Sequence, residues 1–85
     1  MNIKILGPGC AKCHSLDKLV REVVHELKID AQVEYIQDMG KILEYPILIT
    51  PGLVINEEVK CSGSVPAKTE IIRLITNAQD NEEGK

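Results

Sequence analysis

The hydrophobic pattern changes period once, abruptly, within the first 28 residues, and that change limits what the chain can build. Residues 2–6, NIKIL, form an apolar run of strand length. Gly7-Pro8-Gly9 breaks it. Beyond the break the apolar positions are Leu16, Leu19, Val20, Val23, Val24 and Leu27, separated by alternating steps of three and one. This spacing predicts one amphipathic helix over 11–28, with Asp17, Lys18, Arg21, Glu22, His25 and Lys28 on the opposite face. Residues 31–36, AQVEYI, read as a second strand. Two strands joined by a helix pair in parallel across a right-handed connection.

Asp38 is placed to cap a short helix over 39–45, which Pro46 ends. Pro51-Gly52 interrupts the apolar run ILITPGLVIN. A proline inside such a run belongs to an edge, a bulge or a cis peptide. Strands are expected at 53–56 and 59–62, around a tight turn at Asn56–Glu58 that lacks the Asn-Gly signal. Gly63 ends the second of them. Pro66 suits the first turn of a last helix over 66–78, whose apolar stripe is Ile71, Leu74, Ile75 and Ala78. The predicted order is βαβαββα: an α/β fold in which three helices cover both faces of a four-stranded mixed sheet. One domain is expected over 1–78, followed by the polar tail QDNEEGK at 79–85.

Composition narrows the function classes. At 44% hydrophobic residues the chain can fill a single core, and with two Tyr, no Phe and no Trp that core is aliphatic. The lack of aromatic platforms argues against single-stranded nucleic acid as a ligand. A net charge of −3 offers no basic field to phosphate backbones or anionic membranes. No segment approaches the roughly 20 apolar residues of a membrane span. The apolar start is too short for a signal-peptide core. A soluble, cytoplasmic monomer is expected. Three cysteines is an odd count, which argues against a secreted disulfide scaffold. In a reducing compartment, paired cysteines are redox-active or bind metal.

The pair in question is Cys10-Ala11-Lys12-Cys13, followed at once by His14. Three chemistries use such a string: dithiol–disulfide exchange, covalent haem attachment and soft-metal binding. Haem attachment belongs outside the reducing cytoplasm and needs a fold that encloses a porphyrin; Met39 is the nominal axial ligand, but a lone Met in a helix is far more often core filler. Soft-metal modules of the ferredoxin-like type place C-x-x-C after their first strand, but their order is βαββαβ. A zinc site needs four ligands, and Cys10, Cys13, His14 and Cys61 suffice only if Cys61 lies close by. Exchange needs a thiolate. Cys10 falls at the start of a long helix, where unpaired N–H groups and the helix dipole favour an anion, and Lys12 adds positive charge. Cys13, one turn on, can reach back to resolve a mixed disulfide formed at Cys10. Exchange is the leading reading, and a soft-metal module or metallochaperone using Cys10 and Cys13 is the alternative. His14 is read as a solvated first-turn residue, His25 as a polar-face residue, and Cys61 as a small core hydrophobe.

A strand, then G-P-G-C-A-K-C opening a long amphipathic helix, then T-P-G-L-V-I-N, then V-K-C-S-G-S-V-P before the last helix, resembles the thioredoxin-like superfamily. More narrowly it is similar to the small redox-active disulfide proteins, glutaredoxin-sized thioredoxins. The resemblance runs to about residue 78. It implies a thiol–disulfide oxidoreductase with Cys10 as exposed nucleophile and Cys13 as buried partner, needing no cofactor and no metal. It implies that Pro51 is a cis-proline facing the dithiol, that the Thr50 backbone hydrogen-bonds the substrate peptide, and that Gly63 lies near the same surface. Protein disulfides are the implied substrates, with a thioredoxin-reductase-like flavoprotein or glutathione as electron donor. Larger thioredoxins carry Trp before the first cysteine and Gly-Pro between the two. This chain has Gly9 and Ala11-Lys12, and no counterpart to their buried acidic proton acceptor.

Overall fold

The structure, a computed structural model, describes residues 1–47 and 49–83; Gly84 and Lys85 of the expected tail lie outside that range. The first strand, β1, is Asn2–Leu6, and the first helix, α1, is Ala11–Leu27. Then come β2 (Gln32–Ile36), α2 (Met39–Ile42), β3 (Gly52–Ile55), β4 (Glu58–Ser62) and α3 (Lys68–Glu83). The four strands form one sheet in the order β2-β1-β3-β4. β1 pairs with β2 in parallel, while β1–β3 and β3–β4 are antiparallel. This is the expected α/β fold: a mixed four-stranded sheet with three helices.

The two faces of the sheet are covered unequally. Ile3, Ile5, Leu53 and Ile55 point to one face and pack with Leu16, Val20 and Val23 of α1 and Ile71, Ile75 and Ala78 of α3. Leu6, Ile36 and Val54 point the other way and pack with Ile42 of α2. The alternation within β1 and β3 is the period-two pleat. β1 and β3 are the two inner strands, so their residues serve both clusters. Burying a Leu, Ile or Val side chain is worth about 1.5–3 kcal/mol, so this aliphatic set is the main source of stability.

Several boundaries differ from those expected, each for a local reason. α2 ends at Ile42 rather than residue 45. Its last turn tightens, with the Glu44 N–H on the Lys41 carbonyl and the Tyr45 N–H on the Ile42 carbonyl, both at 3.1 Å. Pro46 disfavours helical backbone at Tyr45, so the helix stops short of it. α3 begins at Lys68, with the Ala67 carbonyl accepting the Ile71 N–H at 3.1 Å, so Pro66 stands outside its first turn. It runs to Glu83 because no Gly or Pro interrupts it before Gly84. β3 and β4 start one residue early and close around Asn56-Glu57, both at positive φ (51° and 68°). Two such residues make a type I′ turn without the glycine that usually marks it. Asp38 caps α2 as expected, its carboxylate accepting the Gly40 N–H at 3.0 Å.

Candidate active site

Strand register gathers the site at one end of the sheet. Leu6 is opposite both Ile36 and Gly52, and Gly52 is opposite Ser62. The segments just beyond these four positions therefore leave the sheet together: Gly7–Cys10 after β1, Gln37 after β2, Thr50-Pro51 before β3 and Gly63 after β4. Gly9 takes a positive φ of 107° in the turn toward α1, a conformation that favours glycine. The Thr50–Pro51 peptide is cis, as the resemblance implied. The Gly63 N–H donates to the Pro51 carbonyl at 2.8 Å, which joins these two loops. Gly63 has a φ of 82°, and a β-carbon added there would stand 3.3 Å from Ile49 Cγ2. Glycine thus lets β4 leave the sheet close against the proline loop. Pro51 is buried and Thr50 half-buried, while Ile49 is exposed beside them.

Cys10 is the N-cap of α1. Its backbone is extended (φ −72°, ψ 167°), and its Sγ accepts the Cys13 N–H at 3.3 Å. A capping side chain normally offers oxygen; here sulfur takes that place and satisfies one of the unpaired donors of the first turn. Cys10 is exposed, whereas Cys13, one turn on, is completely buried. The two thiols are pushed in opposite directions. Cys10 is held below the ordinary thiol value, first by the Cys13 thiol and then by the Cys13 N–H. Cys13 is held above it, chiefly by burial and then by the Cys10 thiol. The accessible sulfur is the one that ionises first. Lys12 is exposed in the first turn, and its backbone N–H also stabilises the Cys10 thiolate.

Two neighbours of Cys13 were not singled out as site residues from the sequence. Gly7 is buried against it: a β-carbon at residue 7 would come within 2.2 Å of Cys13 Sγ. The glycine clears the volume that the buried sulfur fills. Its sequence signal, a glycine closing β1, reads equally well as a strand breaker. The second is Tyr35 of β2, whose hydroxyl is buried without a hydrogen-bond partner. Burial first, then the charges that Cys13 and Cys10 carry when ionised, hold its phenol above the usual value. Alternation with Val33 along β2 was the available signal, since it turns Tyr35 toward α1. The rings of His14 and Tyr35 meet edge to face, 5.5 Å between centroids and 88° between planes. His14 is otherwise exposed, as expected.

The remaining candidates lie elsewhere. Cys61 sits in β4 opposite Leu53, half-buried against the larger core cluster. Among the described residues no three His, Cys, Asp or Glu side chains are gathered as a ligand set, so Cys61 does not complete a zinc site with Cys10, Cys13 and His14. His25 is near the far end of α1, exposed. No helix among the described residues is long and apolar enough to cross a membrane.

Comparison with known proteins gives concordant matches. The family model for the thioredoxin domain matches residues 1–76. A thioredoxin of Methanothermobacter thermautotrophicus is 45% identical over 76 residues, covering 89% of this chain and 99% of that protein. A thioredoxin of Methanocaldococcus jannaschii is 35% identical over 69 residues, covering 81% of this chain and 79% of its own. A second thioredoxin of that organism is 35% identical over 72 residues, covering 81% and 84%.

Proposed function

The chain belongs to the thioredoxin domain family, and from that membership we propose that it is a thiol–disulfide oxidoreductase whose working pair is Cys10 and Cys13. The observation that carries this reading is the asymmetry of the pair. An exposed sulfur caps a helix and ionises early, and a buried sulfur that holds its proton stands one turn away. In the first step the Cys10 thiolate attacks one sulfur of a substrate disulfide. A Cys10–substrate disulfide forms, the substrate S–S bond breaks, and the other substrate sulfur leaves as a thiolate. In the second step Cys13 loses its proton and attacks Cys10 Sγ. The Cys10–Cys13 disulfide forms, the second substrate sulfur is released, and the substrate has gained two electrons and two protons.

Protein disulfides fit the surface around Cys10. The Thr50 backbone, Pro51 and Gly63 are proposed as the substrate-facing rim, because register brings their loops to the same end of the sheet as Cys10. Exposed Ile49 adds an apolar contact there. The oxidised pair is returned to the dithiol by a flavoprotein reductase or by glutathione; Lys12 is the cation beside Cys10 for a glutathione carboxylate, while Lys60 is held by Glu58 at 2.9 Å. Lys12 is also proposed to tune Cys10 through its ammonium.

Substitution of each cysteine tests the assignment. Cys10→Ser abolishes reduction of insulin disulfides. Cys13→Ser retains the first step and accumulates mixed disulfides that a reductant releases. Undiminished insulin reduction by Cys10→Ser would remove the reading.

A further inference from the structure

The core of this protein contains no buried charged or polar residue among those described. Against that background the Tyr35 hydroxyl stands out. Among the described residues it is the buried side-chain oxygen left without a partner, and the half-buried ring that carries it comes from a chain with two tyrosines and no phenylalanine. An unpaired buried hydroxyl costs free energy that a phenylalanine would not. Groups of the segment that opens α1 act on it: Cys13 by charge and hydrogen bonding, Cys10 and Asp17 by charge, and the His14 ring meets its own.

We infer that the Tyr35 hydroxyl donates a hydrogen bond to the Cys13 sulfur when that sulfur becomes a thiolate, in the step that resolves the mixed disulfide. This rests on the oxidoreductase reading of Cys10 and Cys13. In the dithiol both groups are neutral, and a thiol is a weak donor and a weak acceptor, so the bond is not made. Ionisation of Cys13 changes its value. The new charge lies where burial opposes it. A thiolate is a far stronger acceptor than a thiol, and hydrogen bonds to charged groups are the strong ones. The phenol stays protonated, because burial and the two sulfurs hold its ionisation above the usual range. It therefore acts as a donor and never as the base.

The step balances. The substrate sulfur–Cys10 bond breaks, the Cys13–Cys10 bond forms, and the electron pair of the broken bond leaves on the substrate sulfur. The proton lost by Cys13 reaches that departing thiolate through solvent. Tyr35 keeps its own proton throughout.

Tyr35→Phe removes the donor and keeps the ring. Its melting temperature is expected to equal or exceed that of the parent, since the lost hydroxyl had no partner. Cys13 ionisation is read by pH-dependent alkylation in a Cys10→Ser, Cys61→Ser background, with and without Tyr35→Phe. Loss of a hydrogen bond to a charged group lowers the Cys13 thiolate fraction at pH 7 about tenfold. Its intrinsic nucleophilicity rises about threefold in return, so resolution of a mixed disulfide slows by roughly threefold. A folded Tyr35→Phe protein whose Cys13 ionises as in the parent would overturn the inference. A readout without that substitution is the ¹³C resonance of the ring carbon bearing the Tyr35 hydroxyl. It is expected to move as Cys13 titrates, and a resonance that stays flat through that titration would overturn the inference equally. Failure of the underlying reading has a different signature, namely persistent disulfide reduction by Cys10→Ser.

Discussion

Cys10 caps a helix with the same sulfur that is proposed to react, and the two roles reinforce each other. A thiolate accepts the Cys13 N–H better than a thiol does, so closing the helix favours ionisation. The sign of the stability effect follows. The folded pKa of Cys10 is depressed below the ordinary thiol value, so its contribution is present above that value and is lost as pH falls through the lower folded one. Cys13 runs the opposite way: its pKa is raised, so its contribution is present below the ordinary value and is lost as pH rises through the folded one. The first cause at Cys10 is the Cys13 thiol, ahead of any backbone donor. Cys13→Ala should therefore raise the midpoint of Cys10 alkylation, and by more than Lys12→Glu does, with Cys61 replaced in both. The measurement is the rate of iodoacetamide reaction against pH. A larger effect from Lys12→Glu would place control in the ammonium instead of the Cys13 thiol.

α1 is the element on which the site depends, and it is closed at its far end by an unusual residue. Lys28 has a φ of 52°. Its N–H reaches the His25 carbonyl at 3.2 Å, and the Ile29 N–H reaches the Val24 carbonyl at 3.1 Å. This is the Schellman pattern, whose left-handed position is usually glycine. Lys28→Gly should stabilise the protein by about 0.5–1 kcal/mol, the relief of left-handed backbone less the entropy of glycine in the unfolded chain. Thermal unfolding would rise by roughly 2–8 °C for a domain of this size. A fall would mean that the Lys28 side chain contributes more than its backbone costs. The elements themselves were legible because their periods are clean: six apolar positions on one face of α1, and alternation in β1. What the sequence hid lay at the ends. The type I′ turn uses Asn56-Glu57 in place of Asn-Gly, and Glu57 holds its place with an ion pair to Lys4 at 2.6 Å. The extra length of α3 is polar and leaves no apolar stripe to read.

At the scale of the whole molecule, a small aliphatic core is divided between two faces of one sheet, and the site lies where the strands end. The cysteine pair was legible because its members lie three residues apart in sequence, on one helical turn. Pro51 and Gly63 were legible only through a resemblance, since register, not spacing, brings their loops to the same end. Gly7 and Tyr35 were missed because their places beside α1 exist only after β1 and β2 pair beneath it. The central claim is that Cys10 and Cys13 form one reversible two-electron couple. The most direct test is a redox titration of the purified protein, with the disulfide located by mass spectrometry at each potential. A single Cys10–Cys13 disulfide is expected, with a two-electron slope, a midpoint between about −270 and −120 mV, and Cys61 free throughout. A pair that never joins, a disulfide through Cys61, or a midpoint below about −300 mV, where structural disulfides lie, would contradict it.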